Sequence, residues 1–262
     1  MKQVAIVTGG TSGIGLAAAQ ALAQAGYTVY TFSRRGSSVS GLQHCIVDVT
    51  DEAAVSAAVE QIAAAAGRLD LVVHCAGFGI SGAVEFTDTA DAKRLFDTNF
   101  FGMVQVNKAA IAHLRQTKGR IIHVSSVAAP VAIPFQTYYS CTKAAVNAYT
   151  LALANELRPF GISVCAVMPG DIRTGFTAAR EKAEQGDDLY TGRIGRSVHR
   201  MEHDEQNGMP PETVGAFLCR VAQKKRVKPL YTIGLSYRLV CLLVRLLPTA
   251  WVNRIVYALY AS

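Results

Sequence analysis

The chain has 262 residues, half of them hydrophobic, with 22 glycines and 8 prolines distributed along its length. A chain of this length can bury one large core, and no shift in composition divides it, so we expect a single domain. The formal net charge of +7 suits an anionic ligand, whether a nucleotide, a nucleic acid or a lipid headgroup. No basic strand with interleaved aromatic residues and no recognised reading motif is present, so we predict no nucleic-acid partner.

The six cysteines form no C-x-x-C pair and lie near no histidine cluster. This spacing predicts no zinc site and no other metal centre, and the apolar surroundings favour buried thiols in a reducing compartment. The first strand-like run begins at Gln3, which leaves no room for a signal peptide. We therefore expect a cytoplasmic protein.

Apolar runs of strand length alternate with segments of helical periodicity. The runs are "QVAIVTGG", "TVYTFSRR", "DLVVHCAG", "GRIIHVSSV" and "ISVCAVMPG". Helices are predicted at 13–25, 51–66, 88–117, 137–159 and 211–223. This rhythm is typical of an α/β fold, with one doubly wound parallel sheet and helices on both faces.

The first predicted strand ends in a glycine-rich turn, "TGGTSGIG". Gly9, Gly13 and Gly15 have a G-x-x-x-G-x-G spacing at the junction of strand and helix. Glycines there let backbone N–H groups approach a pyrophosphate, and the helix N-terminus adds a partial positive charge. The turn and the repeating unit around it predict a dinucleotide-binding fold of the Rossmann type.

The second strand ends in "TFSRRG", where NAD-binding sites usually carry a carboxylate for the ribose 2′-hydroxyl. Ser33, Arg34 and Arg35 stand there instead, and an arginine fork pairs well with a 2′-phosphate. The sequence therefore favours NADP(H) over NAD(H). The alternative is that both arginines are only solvated loop residues.

Two adjacent tyrosines begin a predicted helix in "QTYYSCTKAAV". Tyr139 and Lys143 lie at i and i+4 on one helical face, whereas Tyr138 has Thr142 at that spacing. A nearby ammonium favours the phenolate and lowers the pKa of the phenol toward the working range of an acid-base catalyst. Tyr139 is therefore the candidate proton donor.

Ser125 and Ser126 end the strand "RIIHVSS", at the carboxyl edge where open α/β sheets bind ligands. A hydroxyl there can hydrogen-bond a substrate carbonyl. Asn99 lies among phenylalanines in "FDTNFFG", and a polar amide in such apolar surroundings must be explained by a functional or a structural role. The structural interpretation is a buried amide whose hydrogen bonds are satisfied.

Together these features resemble the short-chain dehydrogenase/reductase family, in its short single-domain branch, up to about residue 235. The glycine motif appears as "TGGTSGIG", the adenine-contacting Asp as Asp48, and the Pro-Gly turn as "MPGDIRT". Ser126 is preferred to Ser125 because it precedes Tyr139 by 13 residues, the family's usual separation. The departure is "HCAG", where His74 and Cys75 replace two asparagines, which affects local hydrogen bonding more than catalysis.

The resemblance implies hydride transfer between a nicotinamide and a carbonyl or carbinol carbon. Tyr139 would exchange the proton, Ser126 would hold the substrate oxygen, and Lys143 would lower the Tyr139 pKa and grip the ribose. Asn99 would hold a water that links Lys143 to solvent, and a homodimer or homotetramer is expected. The implied NADP(H)-binding residues are Gly9, Thr11, Ser12, Gly13, Ile14, Gly15, Ser33, Arg34, Asp48, Val49, Ala76, Gly77, Asn99, Tyr139, Lys143, Pro169, Gly170, Ile172 and Thr174.

Residues 1–235 are predicted to form the dinucleotide-binding and catalytic domain. Residues 172–210 within it are polar and contain scattered glycines, so we expect little regular secondary structure and a substrate lid there. The sequences "AGFGISGAVEF" and "YTIG" look like the hydroxysteroid and retinol dehydrogenase branch. This likeness implies an apolar alcohol or ketone such as a steroid, a retinoid or a lipid-derived carbonyl. The alternatives are a non-catalytic NADPH-binding sensor or scaffold, and an epimerase or dehydratase.

Residues 236–262 are predicted to form an amphipathic helical extension. Leucines recur on one helical face, Pro248 ends that helix, and Thr249 can cap a second helix that carries Trp251, Ile255 and Leu259. No apolar run is long enough to cross a membrane. Two interpretations remain: the leucine face covers the substrate pocket or a neighbouring subunit, or it makes peripheral contact with a membrane surface.

Overall fold

A computed structural model describes residues 2–36, 38–183 and 185–262; Glu184, in the predicted lid, lies outside them. The strands in chain order are β1 (Val4–Thr8), β2 (Thr28–Ser33), β3 (Gln43–Ile46), β4 (Leu71–His74), β5 (Ile80–Ser81), β6 (Arg120–Val124), β7 (Ser163–Met168), β8 (Glu181–Lys182) and β9 (Leu230–Thr232). Within the described residues, seven strands form a parallel sheet in the order β3-β2-β1-β4-β6-β7-β9, and β5 pairs with β8 separately. The order reverses between β1 and β4, and ligands bind at such a switch point.

Helices cover both faces of the sheet. They are α1 (Gly13–Gln24), α2 (Glu52–Ala66), α3 (Thr89–Phe96), α4 (Gly102–Thr117), α5 (Thr137–Glu156), α6 (Phe176–Ala179), α7 (Arg193–Gln206), α8 (Pro211–Ala222), α9 (Leu235–Leu246) and α10 (Thr249–Tyr260). One core lies between the sheet and α2, α4 and α5, and a second lies between the sheet and α1 and α8. The predicted doubly wound parallel α/β fold is therefore confirmed.

Local signals explain the ends of α2. The Asp51 carboxylate accepts a hydrogen bond from the Ala54 amide at 3.0 Å, which satisfies one of the free N–H groups of the first turn. Gly67 ends the helix with a φ of 69°, a left-handed conformation that glycine adopts without steric cost. Both signals are local in sequence, so the predicted range 51–66 agrees with the observed helix.

The predicted helix 88–117 is not continuous. Residues Asp97–Phe101 form a wider π-helical turn between α3 and α4. Such turns insert into helices mainly at functional sites, and this one contains Asn99. The periodicity of the sequence does not reveal the turn because the helix continues on both sides of it.

The segment 172–210 contains more regular structure than we expected. It holds α6, β8 and the 14-residue helix α7, whose apolar side chains Ile194, Val198 and Met201 face inward at i, i+4 and i+7. The rest of α7 is polar, so the sequence pattern did not predict this helix.

At the C-terminus the predicted capping role of Thr249 is wrong, because Thr249 is the first helical residue and no side chain caps α10.

A buried polar chain crosses the core from β4 to α5. His74 Nε2 donates to Asn107 Oδ1 at 2.8 Å, and Asn107 Nδ2 donates to His123 Nε2 at 3.0 Å. His123 Nδ1 then donates to the Thr150 hydroxyl at 2.7 Å. This pattern gives each imidazole one neutral tautomer. None of the described residues gives His74 Nδ1 a partner.

Burial keeps both imidazoles uncharged. It lowers the pKa of His74 from 6.5 to about 4 and lowers the pKa of His123 well below 6.5. The unfolded chain binds these protons near pH 6.5 and the folded chain does not, so stability is fully present above that pH.

We expect the free energy of unfolding to decrease as the pH falls from about 6.5 toward 4, by up to about 1.4 kcal/mol per pH unit for His74. Replacing His74 by Asn, the family's residue, should lower the stability at pH 7.5 and flatten this dependence. Urea unfolding at several pH values measures both effects, with the exposed residue change His199→Asn as the control. Parallel pH curves for wild type and His74→Asn would contradict the interpretation.

Candidate active site

The predicted catalytic side chains come together at the carboxyl edge of the sheet. Ser126 follows β6, Tyr139 and Lys143 lie in the first two turns of α5, and Asn99 lies in the π-helical turn. The Ser126 hydroxyl accepts from the Ala128 amide at 3.0 Å and lies close enough to Tyr139 to act against the rise of its pKa, and the Lys143 ammonium lies 5.6 Å from the centre of the Tyr139 ring. Ser125, the other candidate, is buried and donates to the Lys143 carbonyl at 3.1 Å, so it supports α5.

Burial dominates the acid-base properties of the two central groups. It raises the pKa of the Tyr139 phenol to about 12, although Ser126 acts in the opposite direction. It lowers the pKa of Lys143 to about 8. The expected lowering of the Tyr139 pKa by Lys143 is not found: the ammonium lies 5.6 Å from the centre of the ring and donates to the Val124 carbonyl at 2.9 Å.

Asn99 ties the loop after β4 to the helices. Its Oδ1 accepts from the Phe78 amide at 3.0 Å and its Nδ2 donates to the Phe78 carbonyl at 2.9 Å, so the buried amide is satisfied. A Cβ on Gly77 would lie 2.9 Å from Asn99 Oδ1, which explains a glycine at that position. A cavity of about 10 Å³ lies between Asn99, Lys143 and His74, which is room for about one water molecule.

The β1–α1 turn forms a cradle that fits a dinucleotide. A Cβ on Gly15 would overlap the Gly9 carbonyl, and a Cβ on Gly9 would lie 2.9 Å from the Ala76 backbone. The Ser12 side chain makes no capping bond to α1, so the first amides of this helix remain available to an anion. Thr174 closes the other side, 3.4 Å from the position of a Gly13 Cβ.

The remaining predicted cofactor residues lie on several different elements. Val49 and Ala76 line the small cavity beside Lys143, and Ile172 forms a β-bridge with Met209. Asp48 Oδ1 accepts from the amide and hydroxyl of Thr50 at 3.0 and 2.8 Å. Arg34 is exposed at the end of β2, next to the Ser33 hydroxyl, which donates to the Arg35 carbonyl at 2.7 Å. Thr11, Ser12 and Ile14 belong to the glycine turn, and Pro169 precedes Gly170 after β7.

Two side-chain pairs near Tyr139 were missed by the sequence analysis. The Tyr237 ring covers Gly170, and its hydroxyl donates to Asp171 Oδ2 at 2.6 Å. The fully buried Arg180 guanidinium forms an ion pair with Glu205, which also accepts from the Thr177 hydroxyl at 2.6 Å. Both pairs are long-range in sequence and carry no local motif.

The charges of these two pairs affect the pKa of the Tyr139 phenol. Glu205 and Asp171 raise the pKa of Tyr139 and Arg180 lowers it, in addition to the larger effect of burial. Phe176 packs against Tyr139 with 5.6 Å between ring centres. The surroundings of the phenol are therefore apolar at Phe176 and charged elsewhere, where the Arg180–Glu205 ion pair, Asp171 and the Lys143 ammonium lie.

Comparison with known proteins places this chain in a family. Residues 3–185 match the family described as short chain dehydrogenase. The 3-ketodihydrosphingosine reductase of Bacteroides thetaiotaomicron is 40% identical over 228 residues, which cover 85% of this chain and 84% of that protein. The probable short-chain type dehydrogenase/reductase VdlC of Helicobacter pylori is 30% identical over 255 residues, covering 95% and 94%.

Solved structures agree with this assignment. A short-chain dehydrogenase from Streptomyces avermitilis superposes with a TM-score of 0.84 at 26% identity, covering 98% of this chain and 96% of that one. ElxO with bound NADP gives a TM-score of 0.76 at 26% identity, covering 91% and 100%. The chain belongs to the short-chain dehydrogenase/reductase family. It is an oxidoreductase that acts on carbonyl or alcohol groups, in a family that uses nicotinamide cofactors.

The substitution Tyr139→Phe removes the exchangeable proton and keeps the ring. We expect turnover of a reducible ketone to fall at least about 100-fold, the loss typical of a general acid, while NADPH still binds. Steady-state NADPH oxidation and NADPH fluorescence titration measure the two quantities. Tyr138→Phe is the matched control and should retain near-normal turnover; the reverse outcome would assign the role to Tyr138.

Proposed function

We propose that the protein is an NADP(H)-dependent reductase of a long-chain lipid ketone, with 3-ketodihydrosphingosine as the candidate substrate. The observation that carries the proposal is the cluster of Ser126, Tyr139 and Lys143 beside the glycine cradle. The substrate is suggested by the 40% identical relative that bears that name. This candidate falls within the lipid-derived carbonyls expected from the sequence.

The protonation states of the site favour reduction. With a pKa of about 12, the Tyr139 phenol carries its proton at neutral pH and can donate it to a carbonyl oxygen. Ser126 donates a hydrogen bond to the same oxygen, and Lys143, with a pKa of about 8, can return a proton to the phenol. Asn99 would hold the water through which Lys143 is reprotonated.

The cofactor would lie along the cradle formed by Gly9, Gly13 and Gly15, with its ribose near Lys143. When bound, NADP(H) supplies the hydride that is exchanged with the carbonyl carbon. Its pyrophosphate would accept hydrogen bonds from the amides at the start of α1. The chain's own residues bind and orient the reactants and move the proton.

The preference for NADP(H) rests on the end of β2. Arg34 and Arg35 are exposed there, and residues 33–36 contain no carboxylate that could bind a ribose 2′-hydroxyl. An exposed guanidinium can pair with a 2′-phosphate through two parallel hydrogen bonds. The NADP bound by ElxO supports the same choice.

The surroundings of Tyr139 suit a ketone with an amine next to it. A 2-amino-3-ketone carries a protonated amine close to the carbonyl; near the phenol Glu205 is paired with Arg180, which leaves the Asp171 carboxylate to accept from such an amine. The alkyl chain of such a substrate would find apolar contact at Phe176. A steroid or retinoid has no cation that needs this carboxylate.

The substitution Arg34→Ala should weaken NADPH binding by roughly 1–3 kcal/mol, the range of a charge-assisted hydrogen bond, and leave NADH binding almost unchanged. Fluorescence titration with both nucleotides measures the difference. Arg158→Ala, an exposed arginine after α5, is the control. An equal loss for both nucleotides, or a wild-type preference for NADH, would contradict the proposal.

We expect wild-type protein to reduce 3-ketodihydrosphingosine with NADPH and to prefer it to a ketone of equal length that lacks the amine. Asp171→Asn keeps an acceptor for the Tyr237 hydroxyl and removes the charge, so this preference should fall by about tenfold, equal to 1.4 kcal/mol. Product formation is followed by mass spectrometry, and the exposed change Asp188→Asn serves as the control. Failure to reduce the amino ketone in a screen that shows turnover of steroid ketones would overturn the substrate assignment.

A further inference from the structure

Helix α9 exposes its most apolar side to solvent. Leu235, Leu239, Leu242 and Leu246 have exposed fractions of 81%, 56%, 51% and 70%. The opposite side of the helix carries the buried Cys241 and the partly buried Tyr237 and Val244. The leucine face therefore does not cover the substrate pocket of its own chain, and of the first interpretation only contact with a neighbouring subunit remains.

Helix α10 continues this arrangement. Trp251, Ile255 and Leu259 recur at i, i+4 and i+8 and are 64%, 51% and 51% exposed, while Val256 faces inward. We refer to these exposed residues together as the C-terminal apolar surface: Leu235, Leu239, Leu242, Leu246, Trp251, Ile255 and Leu259. Exposed large apolar side chains repeated along two consecutive helices mark an interaction site.

The net positive charge of the chain lies in its C-terminal segment. Residues 224–262 contain seven lysines and arginines and no Asp or Glu, so the 19 cations and 19 acids of residues 1–223 balance. All seven cations are exposed. Arg238 and Arg245 lie seven residues apart along one side of the leucine face, and Arg254 lies on α10. On α9 and α10 themselves the charged residues are therefore Arg238, Arg245 and Arg254, with no acid.

Both helices touch the walls of the active site. Tyr237 of α9 covers Gly170 and donates to Asp171, next to the Pro-Gly turn. α10 packs on α7, and Ala261 is buried in a cluster with Phe135 and Ile194. A partner bound to the C-terminal apolar surface would thus lie beside the substrate side of the site.

We propose that α9 and α10 dock on the surface of a phospholipid bilayer with anionic headgroups. The C-terminal apolar surface enters the boundary between headgroups and acyl chains, and Arg238, Arg245 and Arg254 contact the anionic headgroups. None of the helices in the described part of the chain is long and apolar enough to cross a bilayer, so the contact is peripheral.

A second copy of the chain fits the C-terminal apolar surface less well than a bilayer does. A twofold interface places the same patch on both sides, so the three arginines of α9 and α10 would face those of the other copy with no acidic residue on either helix to pair with them. A bilayer supplies the anionic charge and the apolar depth together. The proposal does not depend on the proposed function, because no substrate enters the argument.

Trp251 is the only tryptophan of the chain and lies in the C-terminal apolar surface, so its fluorescence reports docking directly. The full chain is mixed with vesicles of phosphatidylcholine alone or with phosphatidylglycerol, and binding is measured by flotation. We expect binding to the anionic vesicles, a blue shift of the Trp251 emission, quenching by lipids brominated in the acyl chain, and weaker binding at high salt.

Two double substitutions test the two parts of the surface. Leu239→Gln with Leu242→Gln, and Arg245→Glu with Arg254→Glu, should each weaken binding at least about tenfold. The exposed residues Leu151 and Arg158 of the catalytic domain provide the matched controls Leu151→Gln and Arg158→Glu. Because all six positions are exposed, circular dichroism should show unchanged folding.

Absence of vesicle binding, or binding that neither double substitution weakens, overturns the proposal. A dimer that dissociates when Leu239 and Leu242 are replaced, without vesicle binding, would assign the surface to self-association instead. Reduction of the detergent-dispersed ketone is measured separately. A protein that reduces the ketone but ignores vesicles would therefore refute only the docking surface.

Discussion

The buried ammonium of Lys143 is the constraint on which the rest of the site depends. Its hydrogen bond to the Val124 carbonyl joins α5 to the end of β6, and the residues that follow β6 include Ser126. A charge this deeply buried is costly unless it is bonded, and the cost appears as a pKa lowered to about 8. The side chain that suits proton return thus also holds Tyr139 and Ser126 at one edge of the sheet.

Much of the fold and of the catalytic cluster could be predicted from the sequence because their signals are local. The glycine turn, the i, i+4 spacing of Tyr139 and Lys143 and the alternation of apolar runs each lie within a short window. Helix α7 was not predicted because only Ile194, Val198 and Met201 give it an apolar face. The π-helical turn was not predicted because it lies within a sequence pattern that is continuously helical.

Other parts of the site could not be predicted because their partners are distant in sequence. Tyr237 and Asp171 are 66 residues apart, and Arg180 and Glu205 are 25 apart. Neither pairing follows from periodicity or from a motif; each exists only after the strands have assembled. The polar chain through His74 and His123 has the same character, and it explains how a histidine is accommodated in "HCAG".

The small β5–β8 pair links the segment that carries α6 and α7 to the loop that holds Asn99. The Glu181 amide donates to the Gly79 carbonyl at 3.0 Å, and the Ala183 amide donates to the Ser81 carbonyl at 2.8 Å. Arg94 of α3 also pairs with Glu181. Any outward motion of residues 176–206 must therefore break these bonds or pull on Phe78, whose backbone holds Asn99. Under the proposed function, substrate exchange and the route of proton return would therefore be mechanically connected.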